Sequence, residues 1–352
     1  MLINLMTVWK ENILPDILSD QVKGIRVAQS SFQFEQPPRV VFVKDIHSPV
    51  EATCYGDLPT LPLQAVEYEI YEQTQAKLSK SSRFYNGKQM LLTAAVYDTS
   101  SNTLYLEAVR VDYVFLEALE EMKKLKAVDS VLQHKAFFTT GVLTPFISSD
   151  DRVSVVTRRD NWQLRSVTAG LLECQDEKHP LTDLIPYTAV KEADEEFVLD
   201  RRGHRRFDFV RLPAIASISF WEAMGLGRTP TMEFVTPIQI RQDGDFILSV
   251  MNNNEAAHAH EHVSGSAVNI PVDAQKRQIA SDFMRQKFPG SFLYGPVLHA
   301  CAVKQNRGMQ FSARIPEITD SRFYPIGIFK PAPQKALSDQ SALEDTLQLQ
   351  KK

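Results

Sequence analysis

The stretch "AVKEADEEFVL" (residues 189–199) sets Lys191, Glu192, Asp194, Glu195 and Glu196 within six consecutive positions. It continues "PYT" (186–188) and reads as a helix, in which residues three and four apart share a face. Glu192, Glu195 and Glu196 therefore crowd together, while Asp194 points elsewhere. Three like charges on one face repel unless something neutralises them. A hard divalent cation such as Mg²⁺ would do so, because it takes oxygen ligands and keeps some of its waters. A solvated acidic face would also be stable, with water and salt screening the charges. Lys191, beside Glu192 and four residues before Glu195, is placed to balance a carboxylate. The helix by itself leaves both readings open.

The rest of the chain bounds the choice. Its 352 residues are 43% apolar, and 39 Lys and Arg stand against 43 Asp and Glu for a net charge of −4. That is enough for two domains, or one with large additions. It lacks the concentrated basic surface of a nucleic-acid scaffold, so no DNA partner is expected. Cys54, Cys174 and Cys301 lie far apart without CxxC spacing. This argues against a zinc cage or disulfide framework and fits a reducing compartment. The opening "MLINLMTVW" is too short for a signal-peptide core, and no window approaches the run of about 20 apolar residues that a membrane span needs. The expectation is a cytoplasmic protein with no membrane segment.

Outward from the acidic helix, periodicity predicts an alternation of strands and single helices. "RVVFVKDI" (39–46) has the β-branched run of a strand. "LPLQAVEYEIYEQTQAKLSK" (61–80) has helical spacing. "QMLLTAAVYD" and "TLYLEAVRVDYV", joined by the polar "TSSN" (99–102), read as a hairpin. "FLEALEEMKKLKAVDSVLQ" (115–133) is amphipathic, with Leu116, Leu119, Met122 and Leu125 on one face. "FFTTGVLTPFIS", "RVSVVTRRD", "AIASISFWEAMG" and "TMEFVTPIQIR" read as strands, and "AQKRQIASDFMRQKF" (274–288) as a helix. "GSFLYGPVLHACAV" (290–303) is a further apolar segment, and the polar tail from about Pro331 has the composition of a disordered segment.

Immediately upstream of the helix, "AGLLECQD" (169–176) ends a strand at Ala169-Gly170, where bare backbone can approach a ligand. Glu173 and Asp176 follow on a loop. This strand, loop and helix together resemble the Nudix box, G-x5-E-x7-R-E-U-x-E-E-x-G-U, with U a bulky aliphatic. Gly170 is followed by five residues and then Asp176 in place of the family's Glu. Lys191 to Glu196 match the R-E-U-x-E-E core with Lys for Arg and Ala193 for the aliphatic, Val198 replaces the closing Gly, and Leu199 fits the last position. Fourteen residues separate Asp176 from Lys191 where the family has seven, an insertion of the kind that loops absorb cheaply. Gly141-Val142 and Thr144-Pro145 occupy the place of the strand that leads into the box. The upstream hairpin and "LGRTPTMEFVTPIQI" (226–240) are similar to the branch of the family that resembles UDP-glucose pyrophosphatase.

The resemblance implies an α/β (α+β) fold, a Nudix-type α/β/α sandwich with a mixed sheet and an N-terminal α+β extension. The expected boundaries are 1–135 for the extension, 136–305 for the hydrolase-like domain and 306–352 for a C-terminal segment. It also implies hydrolysis of the pyrophosphate bond of a nucleoside diphosphate linked to another group, most simply a nucleotide sugar such as UDP-glucose. Mg²⁺, or Mn²⁺ in its stead, would be held by Glu192, Glu195, Glu196 and the Ala169 carbonyl. Glu192 would bind through water or act as general base, and Lys191 would hold Glu195 or Glu196 in place. Arg158, Arg159, Gly170, Glu173 and Asp176 would face the nucleotide-type substrate. The departures at Lys191, Ala193, Asp176 and Val198, with the longer loop, fit an alternative: a Nudix-fold module that binds a nucleotide or a protein partner without turnover.

Two clusters stand outside this pattern. "NNNEAAHAHEHVSG" (252–265) alternates His258, His260 and His262, which would share one face of a strand. Its Asn, Ser and Gly neighbours instead predict a mobile surface loop inserted near the substrate cleft. "DRRGHRRFD" (200–208) gathers Arg201, Arg202, Arg205 and Arg206 around His204 and reads as a solvated loop after the helix.

Overall fold

Strand β7 (Phe138–Thr144) organises the molecule because it changes partners along its length. One edge pairs in parallel with β13 (Thr231–Val235). The other edge pairs with β5 (Lys88–Asp98) through Leu91 and Leu92, and then with β11 (Thr168–Leu171) from Gly141 onward. The fork is possible because two glycines meet at it. A side chain at Gly141 would come within 2.7 Å of the Gly170 carbonyl oxygen.

The structure is a computed structural model that describes residues 2–5, 18–19, 26–53, 55–81, 84–125, 137–157, 165–173, 181–210, 213–224, 230–256 and 258–271. Around β7 the larger sheet runs β2 (Leu18–Ser19), β3 (Arg26–Gln33), β12 (Ser217–Met224), β13, β7, β5, β6 (Thr103–Asp112), β4 (Arg39–Val43). A short β1 (Leu2–Asn4) also pairs with β5. Most pairs are antiparallel, but β13 with β7 and β4 with β6 are parallel, so the sheet is mixed. β5 and β6 form the expected hairpin, with a bulge between Leu92 and Ala94 and Asn102 at φ 48° in its turn. A smaller sheet joins β10 (Arg165–Ser166), β9 (Arg152–Thr157), β8 (Phe146–Ile147) and β14 (Ile238–Gln239), with β15 (Val268–Pro271) on β9.

Helices cover both faces of the larger sheet. On one, α1 (Ala65–Leu78) and α2 (Tyr113–Lys124) bury Ile70, Phe115, Leu119 and Met122 against Leu91 and Val109. α1 starts with a Gln64–Glu67 capping box, and α2 with Asp112 accepting the Phe115 N–H at 2.8 Å. α2 closes at Lys124, so Leu125, expected on its apolar face, stands as an exposed C-cap. On the other face α3 (Leu184–Ala193) buries Leu184, Ile185 and Ala189 against Met90, Leu92, Phe138 and Val142. Pro186 is tolerated there because the first turn has no use for its missing N–H. The last turn, Asp194–Val198, widens to i→i+5 hydrogen bonding. It packs Phe197 and Val198 with Phe146, Phe207 and Ile247, the last from α4 (Gly244–Asn252), a helix absent from the sequence reading. The architecture is a mixed α+β layering consistent with a Nudix-like α/β/α sandwich. No helix among the described residues is long and apolar enough to cross a membrane.

Candidate functional site

The acidic helix does not present a solvated face. Of its carboxylates, Asp194 and Glu196 are buried, and Glu192 is mostly so. Gly170 is the reason Glu192 can be there. A Cβ at this position would fall 2.1 Å from Glu192 Cδ and 2.3 Å from its Cγ, so the side chain lies flat on bare backbone of β11. Burial pushes the Glu192 carboxyl up to about 8; Lys191 pulls it down, and Glu196 and Glu195 add to the rise.

Lys191 sits among three carboxylates. Its Nζ lies 3.2 Å from Glu173 Oε2, 3.4 Å from Glu192 Oε1 and 3.6 Å from Glu195 Oε2. Burial lowers the affinity of this ammonium for its proton, but the fields of Glu192, Glu173 and Glu195 outweigh burial and raise it. Glu173 reaches Lys191 from the end of β11, where its backbone bridges to Gln89 and its Oε1 accepts from Gln89 Nε2 at 3.1 Å. This links the site to β5, a connection that local sequence did not signal.

Glu196 points inward. Its Oε2 lies 2.9 Å from His262 Nε2, and its Oε1 accepts from the Ala169 N–H at 3.3 Å. The His262 ring packs on Phe197 with centroids 4.6 Å apart. His258 Nδ1 lies 3.8 Å from Glu195 Oε2 and 3.6 Å from Glu261 Oε1. The histidine-rich stretch is a loop, with a 3-10 turn at Ala259–Glu261. Only His260 of the three is exposed; His262 is buried against the acidic helix, which corrects its reading as plain surface. Alternation along a strand could not have shown this, because His258 and His262 reach the helix from either end of a tight turn.

Asp194 turns away from the other three, as the helical spacing requires, into a different buried environment. Arg205 Nη2 lies 3.6 Å from its Oδ1, with the guanidinium 4.8 Å over the Phe209 ring. Burial raises Asp194 to about 7; Arg205 opposes the shift and Glu195 adds to it. The basic stretch is thus split: Arg201, Arg202 and His204 are exposed, whereas Arg205 and Arg206 fold inward. Among the expected site residues, Ala169, Gly170, Glu173, Lys191, Glu192, Glu195 and Glu196 lie on β11, at its end, or on the helix packed against it. Arg158, Arg159 and Asp176 lie outside the described residues.

As donors, these carboxylates suit a hard divalent cation in kind. Among the described residues, however, no group of three or more His, Cys, Asp or Glu is gathered to hold a metal ion. The Lys191 ammonium stands among three of them, and both oxygens of Glu196 have protein donors. The chemistry fits the ion, while the arrangement does not preform its cage.

No protein-family model and no curated protein matches the chain. Solved structures similar to it at low scores include two enzymes. One is the E. coli dihydroneopterin triphosphate pyrophosphohydrolase, at 13% identity and a TM-score of 0.27, covering 46% of this chain and 95% of that one. The other is Tm1382, described as a Nudix hydrolase, at 10% identity and a TM-score of 0.31, covering 68% of this chain and 95% of that one. At these scores neither likeness bears weight.

Proposed function

We propose that the chain hydrolyses the pyrophosphate bond of a nucleoside diphosphate linked to another group, with a nucleotide sugar such as UDP-glucose as the simplest substrate and Mg²⁺ or Mn²⁺ as the cofactor. The observation that carries this reading is the buried Glu192, laid on the Gly170 backbone beside Lys191 and raised to about 8. A helix carboxyl whose pKa is raised toward neutral pH, laid against a strand, suits proton abstraction from water near pH 7.

In this reading Glu192 takes the proton of a water as its oxygen attacks one phosphorus. The new P–O bond forms as the bridging P–O bond breaks, giving a nucleoside monophosphate and the phosphate of the second group. Lys191 keeps Glu173, Glu192 and Glu195 oriented as a point charge, without the planar fork of Arg. Glu195 and Glu196, with the Ala169 carbonyl, would hold the cation, leaving Glu192 as the base. When bound, a divalent ion supplies neutralisation of the phosphate oxygens and a more acidic water.

A second reading, a binding module without turnover, is favoured by one feature: the carboxylates already have protein partners and form no ready cage. The test is to incubate the protein with Mg²⁺ or Mn²⁺ and UDP-sugars, ADP-ribose, NADH, dinucleoside polyphosphates and nucleoside triphosphates, following phosphate products. Glu195→Gln and Glu196→Gln run alongside. Turnover abolished by both substitutions supports the hydrolase. No turnover with any compound leaves the binding module, to be followed by calorimetry with the same panel.

A further inference from the structure

The turn that carries Glu195 and Glu196 ends the helix with a wide hydrogen bond from the Leu199 N–H to the Asp194 carbonyl at 3.0 Å. The next four carbonyls take donors from two later segments. The Glu195 carbonyl accepts from the His258 N–H at 3.0 Å, and the Glu196 carbonyl from Asn254 Nδ2 at 2.7 Å. Phe197 accepts from the Arg206 guanidinium at 2.6 Å, and Val198 from the Arg206 N–H at 2.8 Å. Asn254 Oδ1 in turn accepts from Arg206 at 2.9 Å and from the Ala256 N–H at 3.0 Å, which joins both segments into one support.

The same support reaches the side chains. His262 is 2% exposed and Glu196 1% exposed, with Nε2 and Oε2 2.9 Å apart. An ionised Glu196 only accepts, and Nε2 is then the donor of the pair. The ring is itself fixed by Phe197, the residue next to Glu196. A buried carboxylate needs donors wherever it points, and the donors therefore decide where it points.

We infer that Asn254–Ala256 and His258–His262 clamp the carboxylate turn, and that His262 is a positioning residue that fixes the direction of Glu196. Its consequence for catalysis rests on the hydrolase reading above; the clamp itself does not. Outer partners of this kind typically change metal affinity or activity by about 10–100-fold when removed.

The experiment compares His262→Leu with His262→Gln, whose side-chain amide can still donate, in the full chain. Amide hydrogen exchange at Glu195–Leu199, Mn²⁺ binding by electron paramagnetic resonance and, where the native protein turns over a substrate, kcat and KM are measured. The expected result for His262→Leu is faster exchange at the turn, about tenfold or more weaker Mn²⁺ binding, and a lower kcat at unchanged KM. His262→Gln should recover most of each. Native exchange and native Mn²⁺ affinity in a folded His262→Leu would overturn the clamp, as would failure of a folded His262→Gln to recover them. If His262→Leu does not fold, Asn254→Ala takes its place in the exchange measurement, where protection equal to the native protein's would overturn the proposal. A native protein that neither binds Mn²⁺ nor turns over a substrate would sink the hydrolase reading, and hydrogen exchange would then decide the clamp alone.

Discussion

Replacing Gly170 by alanine should silence the site while leaving the fold largely intact. The added Cβ would stand 2.1 Å from Glu192 Cδ and 2.4 Å from Oε1. Carbon atoms in contact settle at about 3.5–4.0 Å, so the carboxylate must move by more than about 1 Å. Glu192 is a side chain and can rotate away, and the backbone at Gly170 needs no left-handed conformation. A displacement of about 1 Å in a positioned group costs on the order of a hundredfold in rate, about 2.7 kcal/mol of barrier. Gly141→Ala is the matching control. Its Cβ would meet the Gly170 carbonyl oxygen at 2.7 Å, and backbone cannot rotate out of the way, so the fork of the sheet must open. Overpacking of this kind costs about 1–3 kcal/mol. The assay is formation of the nucleoside monophosphate at saturating substrate, beside thermal unfolding. The expected pattern is a large rate loss with a small melting shift for Gly170→Ala, and a clear melting shift for Gly141→Ala. Gly170→Ala turning over within twofold of the native rate would refute the role given to Glu192 against the strand.

Turnover should rise with pH as Glu192 loses its proton, with a midpoint below the value of about 8 that it has without a cation, because the ion beside Glu195 and Glu196 favours the ionised form; a rate that falls as pH rises from 5 to 8 would count against it as the base. Stability should run the other way. Asp194 rises from 3.8 to about 7 on folding, so its contribution is full below pH 4 and is lost as pH climbs through 7; Glu192 extends the loss to about 8. Melting temperature measured across pH 5 to 8 should fall, and Asp194→Asn should flatten that fall. Arg205→Met leaves Asp194 buried beside no opposing guanidinium and should cost roughly 3 kcal/mol in denaturant titrations. Lys191→Met should destabilise by a similar amount through Glu173, Glu192 and Glu195, with Lys191→Arg recovering most of the loss in the same titrations.

Local pattern was enough for the elements that carry strong periodicity. The hairpin of β5 and β6 follows from two alternating runs around a polar turn, and α2 from apolar residues at helical spacing. The strand at Gly170 and the helix at Lys191 were legible because a glycine ends a β-branched run and a charged hexad has helical spacing. α4 was missed because "GDFILSVMN" follows strand-like sequence and is itself rich in β-branched and aromatic residues. Its signal was Asp243, whose side chain accepts the Phe246 N–H at 2.8 Å as an N-cap. The partners of the site were less accessible. Asn254 and His262 reach the acidic helix across long sequence separations, Gln89 holds Glu173 beside it, and Arg205 turns back from the loop that follows it; nothing in their neighbourhoods distinguishes a buried donor from a surface one. Charge alone misjudged Arg205 and Arg206, because an arginine in a polar run is solvated only if no buried carboxylate or carbonyl awaits it.

The widened turn at Asp194–Val198 also changes what a sequence motif means. Each residue of an α-helix advances the chain by about 100° around the axis, and a spacing counted in residues is read as an angle on that assumption. A turn closed by i→i+5 bonds holds one residue more for the same circuit. Residues beyond it thus sit at azimuths that counting from Lys191 would assign to their neighbours. Two chains can share the letters of this hexad and aim them differently, or differ by one letter in length and aim them alike. Deleting Phe197 would keep every letter of the hexad and turn everything after it by about a quarter of a circle.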